Sequence, residues 1–519
     1  MGNVGNFGNR DFGNRDFGNL YTFLSRGFPD GRDACAIEAL RPGKAPLYYT
    51  WQDLDDASGK LANLLVALGL KQGDRVAVQV EKSPEALLLY LACLRAGCAY
   101  LPLNNAYQQS EIDYFVDNAA PSLLVCSPRN REWIEPIARR RQVAHLLTLG
   151  DDRDGSLLAA AADQPSAFET VPMRDDELAA ILYTSGTTGR SKGAMLTHGN
   201  LASNAQTLHF YWRWRRGDVL LHALPIFHVH GLFVAAHGAL LSGSKMIWLP
   251  RFEPAAVIEQ LPRASVFMGV PTMYVRLLDA PGFDRQASAG MRLFVSGSAP
   301  LLTDTFRQFE ERTGHRILER YGMSETSMLT SNPYDGNRVA GTVGLPLPGV
   351  AVRVVDDQGL PCGNGEIGAI QVKGPNVFAG YWCMPEKTRE EFTADGFFRT
   401  GDVGRFDSNG YLSIVGRSKD LIISGGYNVY PKEIESYLDD MPGVLESAVV
   451  GVPDRDFGES VAAVVVARPG EQLDADQLIA GLKSRIAGFK VPKRLLLVDE
   501  LPRNQMGKVQ KNLLRERFA

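Results

Sequence analysis

Between Asn19 and about Gly416, short runs of aliphatic and β-branched residues alternate with longer stretches of helical periodicity. Residues 75–80, 122–126, 245–249 and 291–295 are such runs. Strands separated by helices return parallel to one another, so this rhythm predicts mainly parallel α/β layers. From about residue 344 to 416 it gives way to short alternating runs, 350–355 and 367–372, divided by glycine-rich turns. That pattern predicts an antiparallel β subdomain. A third unit begins at Lys419, with a helix opening at Pro431 that places Ile434 and Leu438 on one face. Strands at 447–452 and 461–467 and a helix at 478–486 follow, completing a small α+β domain of roughly a hundred residues. The expected fold class is therefore α/β, with a large N-terminal domain over 20–418 and a small C-terminal domain over 419–519.

Residues 1–19 carry Phe-Gly-Asn-Arg-Asp twice and begin a third copy at Phe17. A repeat of glycine and asparagine cannot offset the entropy of ordering, so a disordered low-complexity tail is expected. Asn6 stands where an N-myristoylation motif wants Ser or Thr. The longest apolar stretch, 86–103, contains Arg95 and Gly97 and ends beside Pro102, too interrupted to span a bilayer. Ser83, Pro84 and Glu85 ahead of it read as the cap, first turn and acidic start of a helix in a globular protein. With 55 basic and 59 acidic residues the net charge is −4, and no broad attraction to nucleic acid or an anionic membrane is expected. The six cysteines form no CxxC pair. Reduced, mostly buried thiols and a cytoplasmic location are the expectation.

Local cationic loops must then do any phosphate binding, and one stands out. From Tyr183 to Gly193 the chain packs three glycines, five Ser or Thr hydroxyls, Arg190 and Lys192 between two apolar runs. Glycines let backbone N–H groups converge on an anion, hydroxyls add donors and the cations add charge. Thr184, Ser185, Gly186, Thr187, Thr188, Gly189 and Lys192 are the expected polyphosphate grip. The spacing is not that of a Walker A loop.

Further motifs follow in order: Tyr321-Gly322-Met323-Ser324-Glu325-Thr326, Gly380-Tyr381, Arg399-Thr400-Gly401-Asp402, Gly416-Arg417-Ser418-Lys419-Asp420, Asn428-Val429-Tyr430-Pro431-Lys432 and Pro502-Arg503-Asn504-Gln505-Met506-Gly507-Lys508. Together with the loop they resemble the adenylate-forming superfamily, which contains acyl-CoA synthetases, carrier-protein adenylation domains and beetle luciferases. Within it the chain is most similar to malonyl-CoA and methylmalonyl-CoA synthetases. The resemblance implies a large adenylate-forming domain with a mobile lid, and ligation of an acid to CoA through an acyl-adenylate, with AMP and pyrophosphate released. ATP, Mg²⁺ and CoA are the implied cofactor and cosubstrates.

Such chemistry turns a poor acyl donor into one that a thiol can attack, because AMP leaves readily. By resemblance, Ser324 and Glu325 hold Mg²⁺ between phosphates, as hard cations prefer oxygen ligands. Asp402 accepts the ribose hydroxyls with Arg417 as companion, and Ser298, Glu319, Arg320, Tyr321, Gly322 and Met323 line the nucleotide, with Tyr321 on the base. Lys508 is the mobile catalytic lysine, placed between the carboxylate and the α-phosphate. Lys419 is the hinge about which the small domain turns between half-reactions, and Gly425 and Gly426 leave room for the CoA thiol. Lysine acetylation controls similar enzymes, so a lysine acetyltransferase acting on Lys508 is an implied partner.

For the acid, the segment from Pro225 to Gly231 is expected to supply His228 as a catalytic and substrate-binding residue, with Ser298 and Met323 nearby. Arg251, at an expected strand end, can offer a planar fork to the second carboxylate of a malonate-like acid. Three other readings stay open: a ligase for a short monocarboxylic or aryl acid with Arg251 in solvent, a stand-alone enzyme loading a carrier protein, and an inactive nucleotide-binding scaffold.

Overall fold

The computed structural model describes residues 16–184, 191–424, 427–454, 458–483, 485–486, 488–504 and 507–518. Ser185, Gly186, Thr187, Thr188, Gly189 and Arg190 of the glycine-rich loop, Gly425 and Gly426 of the expected thiol channel, and tail residues 1–15 lie outside them.

The described residues build two large sheets, a four-stranded antiparallel sheet and a small-domain sheet. The first large sheet runs Gly380–Tyr381, Lys192–Thr197, Leu178–Thr184, Ala99–Pro102, Arg75–Gln79, Leu123–Cys126, His145–Thr148. Its last five strands are parallel, and the two at the other edge are antiparallel. The second runs Leu345–Pro346, Ser327–Ser331, Leu318–Met323, Leu293–Ser296, Val266–Gly269, Val219–His222, Lys245–Trp248, Cys35–Arg41, Lys44–Thr50, and is parallel from Leu318–Met323 to Cys35–Arg41. Leu293–Ser296 and Val266–Gly269 are buried at every position, as parallel strands covered on both faces must be.

Pro84–Arg95 forms a helix buried along its whole length. Ser83 caps it by accepting the Ala86 N–H. Burial of Arg95 is tolerated because its guanidinium donates to the carbonyls of Asp55 and Phe168 and to Ser58.

Strand order locates a crevice. From Val219–His222 the chain crosses to Lys245–Trp248 on one side, then returns to Val266–Gly269 on the other. Such a reversal leaves space outside the carboxyl ends of the strands. The segments from Ala223, Val270, Gly297 and Ser324 onward all start at those strand ends.

The expected antiparallel subdomain is the sheet Ala351–Val355, Gly368–Lys373, Phe398–Phe406, Leu412–Arg417. Ser418–Asp420 then forms one 3₁₀ turn, so Lys419 sits between the two domains. The small domain carries its own sheet, with one apolar cluster around Ile434, Leu438 and Leu482 and another around Val464, Leu501 and Leu514. It docks on the large domain through Arg468, whose Nη2 lies 2.6 Å from Asp304 Oδ2.

Two expectations are corrected. Residues 17–19 are not part of a disordered tail: Phe17 is buried edge-to-face against Phe23, and the backbone N–H groups of Phe17 and Gly18 both donate to Asp175 at 2.9 Å. Asn19 caps the helix Leu20–Ser25. The aromatic of the third repeat copy thus has a core to enter. The cysteines are all free, as expected, but only Cys93, Cys98 and Cys126 are buried, and Cys383 is exposed. No helix among the described residues is long and apolar enough to cross a membrane.

Candidate active site

The glycine-rich loop springs from a hairpin. Thr184 and Lys192 are register partners at the ends of its two antiparallel strands. Lys192 is nearly covered, its Nζ 4.6 Å from the centre of the Tyr381 ring and 3.6 Å from Glu391. The same Tyr381 donates its hydroxyl to Glu325 Oε1 at 3.1 Å. Glu325 is buried, and burial raises its pKa despite the Tyr381 bond and the charges of Arg417 and Lys192. Ser324 stands beside it, half-buried, after the strand Leu318–Met323.

Among the described residues no group of three or more His, Cys, Asp or Glu is arranged to hold a metal. One buried carboxylate still fits Mg²⁺ that arrives on nucleotide phosphates, because this ion keeps several waters and takes only one or two protein carboxylates.

Asp402 and Arg417 are register partners on neighbouring antiparallel strands. Arg417 Nε lies 3.0 Å from Asp402 Oδ1, and the Tyr321 hydroxyl donates to Oδ2 at 2.5 Å. Asp402 in turn raises the pKa of Arg417. Gly322 passes so close to Ser327 that an added Cβ would lie 2.0 Å from its carbonyl oxygen. Only glycine lets the chain turn there and hold Tyr321 over Asp402. Glu319 is buried, its Oε1 accepting the Leu301 N–H at 3.1 Å, and burial lifts its pKa to about 8.

On the other side of the crevice lies Arg320, 3% exposed. Its Nε and Nη2 have no hydrogen-bond partner among the described residues. The guanidinium rests on Gly297, where a Cβ would lie 2.3 Å from Cζ. Burial lowers the pKa of Arg320 to about 9, which leaves it charged at neutral pH. Next to it, His230 Nδ1 is 3.4 Å from Ser298 Oγ, and His230 Nε2 has no partner among the described residues. Ser298 holds φ at +72°, a strained value for a side chain with a Cβ and one that clusters at functional sites. Burial first, then the charge of Arg320, keeps His230 far below its ordinary pKa. Burial, Lys508 and Arg320 push His228 down to about 3. Both imidazoles are therefore neutral. Met323 ends the strand that carries Arg320. His230–Ala236 is a π-helix, a wide turn that often marks a functional site.

Arg251 is not in this crevice. Its side chain is 77% exposed and its Nε pairs with Glu253 at 2.6 Å. The reason is topological: Arg251 follows Lys245–Trp248, on the far side of Val219–His222 from the strands that end at Gly269, Ser296 and Met323. The buried cation of this crevice among the described residues is Arg320, a residue expected to line the nucleotide. Its signal in sequence is an arginine inside the motif run Glu319-Arg320-Tyr321-Gly322.

His230 lies inside the segment expected to line the acid, although only His228 is singled out there; Lys82 is not anticipated from the sequence. Lys82 Nζ donates to the carbonyls of His222 at 2.8 Å and Leu249 at 2.7 Å and lies over the Trp248 ring, tying two strand ends together. His222 stacks on that ring and donates through Nε2 to the Gly231 carbonyl at 2.9 Å, anchoring the loop that carries His228.

Lys508 reaches the crevice from the small domain. Its neighbour Gly507 packs on Thr272, and its own N–H donates to Asn504 Oδ1. Solvent still reaches the side chain. The charges acting on the ammonium are those of Arg417, Asp402, Glu325 and Arg320, which sets it between the two halves of the site. Desolvation, then Arg417, brings its pKa down to about 8.

Comparison with known proteins identifies the family and the fold. The family described as AMP-binding enzyme matches residues 31–382, and the AMP-binding enzyme C-terminal domain matches 433–508. A malonate–CoA ligase of Arabidopsis thaliana is 36% identical over 480 residues, covering 86% of this chain and 78% of that protein. A feruloyl-CoA synthase of Amycolatopsis is 36% identical over 486 residues, covering 93% and 96%. The ATP-bound crystal structure of MatB from Rhodopseudomonas palustris is 55% identical and superposes with a TM-score of 0.93, covering 96% of this chain and 98% of that one; its apo form gives 0.84.

Proposed function

Because the chain belongs to the AMP-binding enzyme family and is an AMP-forming acyl-CoA synthetase, we propose that the acid it activates is a short dicarboxylate, malonate or methylmalonate. The observation that carries this reading is Arg320: a charged guanidinium, 3% exposed, with two unpartnered nitrogens and no ion pair among the described residues. A buried cation is costly unless something neutralises it. The second carboxylate of a dianionic acid can accept two parallel bonds from that fork. Neutral His228, His230 and Ser298 would add donors without competing charge. The malonate–CoA ligase and MatB relatives support the same assignment.

In the first step the other carboxylate attacks the α-phosphorus of ATP and pyrophosphate leaves. Lys508, facing both halves of the crevice, lowers the repulsion between the two anions and steadies charge in the transition state, which is typically worth ~3–4 kcal/mol per donor. Asp402, oriented by Arg417 and Tyr321, receives the ribose hydroxyls. Lys192, with the loop beginning at Thr184, meets the outer phosphates. Glu325 and Ser324 would hold Mg²⁺, whose charge neutralises those phosphates. In the second step the CoA thiol attacks the acyl carbon and AMP leaves; the 3₁₀ turn at Lys419 is the place for the small domain to rotate, carrying Lys508 away and bringing Gly425 and Gly426 to the thiol.

AMP release with CoA, Mg²⁺ and a panel of malonate, methylmalonate, succinate, acetate, butyrate and benzoate tests the reading. Turnover concentrated on malonate and methylmalonate is expected. Preference for a monocarboxylate or an aryl acid would leave Arg320 without a counter-ion and discard the substrate.

A further inference from the structure

Tyr381 belongs to a motif that the reaction scheme leaves without a task. The backbone around it stitches two parts of the nucleotide site together. Phe378 N–H donates to the Glu325 carbonyl at 2.8 Å, Ala379 N–H to Met195 at 3.0 Å and Trp382 N–H to Gly193 at 2.7 Å. Gly380–Tyr381 thereby forms an edge strand on Lys192–Thr197. Tyr381 is 4% exposed and has little freedom: its N–H donates to Thr388 Oγ1 at 2.9 Å, and Phe378 packs edge-to-face on its ring at 4.9 Å. One end of this fixed side chain holds the Glu325 carboxylate and its face holds the Lys192 ammonium.

We propose that Tyr381 is a positioning residue for the first half-reaction, a rigid spacer that sets the carboxylate meeting the nucleotide's magnesium against the lysine meeting its phosphates. The inference rests on the roles assigned above to Glu325 and Lys192. The hydroxyl bond limits rotation of the carboxylate. The ring attracts the ammonium at the end of a flexible stem without placing an anion against it. The one carboxylate within ion-pair reach of Lys192 among the described residues, Glu391, is 3.6 Å away and shared with Lys387 at 3.2 Å. A phosphate can therefore recruit the lysine without breaking a close pair.

The test uses full-length Tyr381→Phe, which keeps the ring and deletes the bond to Glu325, and Tyr381→Leu, which deletes both contacts. Thermal unfolding is followed with ATP in EDTA and with ATP under a Mg²⁺ titration. For Tyr381→Phe the Mg²⁺ concentration giving the half-maximal ATP-dependent shift is expected to rise about 10- to 100-fold, the range for losing a hydrogen bond to a charged group. Its response to ATP in EDTA should match wild type, whereas Tyr381→Leu should weaken both. ATP–pyrophosphate exchange should fall in Tyr381→Phe while thioester formation from supplied acyl-adenylate is retained. Unchanged Mg²⁺ dependence in Tyr381→Phe, or equal loss in both half-reactions, would overturn the inference while leaving the Glu325 and Lys192 roles standing. A wild-type protein whose response to ATP ignores Mg²⁺ would instead remove those roles, and the spacer with them. If Tyr381→Leu fails to fold, the near-isosteric Phe variant decides alone.

Discussion

Replacing Arg320 with methionine keeps an apolar stem and removes a guanidinium that is 3% exposed and has no ion pair among the described residues. In the complex with a dicarboxylate, the variant leaves the second carboxylate buried and unpaired. Breaking a buried pair by deleting one partner costs about 3–5 kcal/mol. At 1.36 kcal/mol per decade, kcat/KM for malonate should fall roughly 150- to 5,000-fold. Acetate or butyrate has no second charge to strand, so its kcat/KM should hold or improve. Stability should move the other way. Burial already drags the Arg320 pKa down to about 9, so the unliganded protein gives up a desolvated cation and should melt at an equal or higher temperature. Steady-state AMP release with the two acids and thermal unfolding with and without malonate plus ATP check both halves. A parallel loss for malonate and butyrate, or a malonate loss under tenfold, would refute the assignment.

Lys508→Ala is expected to abolish ATP–pyrophosphate exchange and keep thioester formation from added acyl-adenylate; equal loss of both would remove its role. Because desolvation and Arg417 bring Lys508 from the ordinary lysine range to about 8, its charged form is lost as pH rises through that value. The kcat/KM for ATP in the exchange assay should then decline above pH ~8, whereas the thioester step from supplied adenylate should lack that limb. Arg251→Leu removes only an exposed pair with Glu253, worth about 0–1 kcal/mol, so malonate kcat/KM should stay within about twofold of wild type. A loss beyond tenfold would return the pocket cation to Arg251.

Order and spacing in the sequence were enough to find residues held by short-range geometry. Asp402 and Arg417 sit in a two-strand register, Thr184 and Lys192 close a hairpin, and Ser83 and Pro84 start a helix that folds as expected. Choosing between Arg251 and Arg320 needed something else. Both lie at or near the carboxyl end of a strand in the same sheet, and only strand order reveals which end borders the crevice. Lys82 and His222 were hidden for a similar reason: one joins carbonyls 140 and 167 residues away, the other ties a strand end to a loop, and neither leaves a periodic trace. Phe17 reads in sequence as one more copy of a repeat, and its burial against Phe23 depends on a core that the repeat itself does not encode.

Among the described residues the small domain's two apolar clusters contain no large-domain residue, and the groups proposed to select the acid, Arg320, His228, His230 and Ser298, all precede Lys419. On the proposed roles, choice of substrate and alternation between half-reactions would be separable inheritances. Exchanging everything after Lys419 for the matching segment of a relative requires re-fitting a docking surface, including the Arg468–Asp304 contact, but no shared core. Such a hybrid should keep its acid and acquire a new tempo, with the balance between adenylate and thioester formation following the donor of the lid.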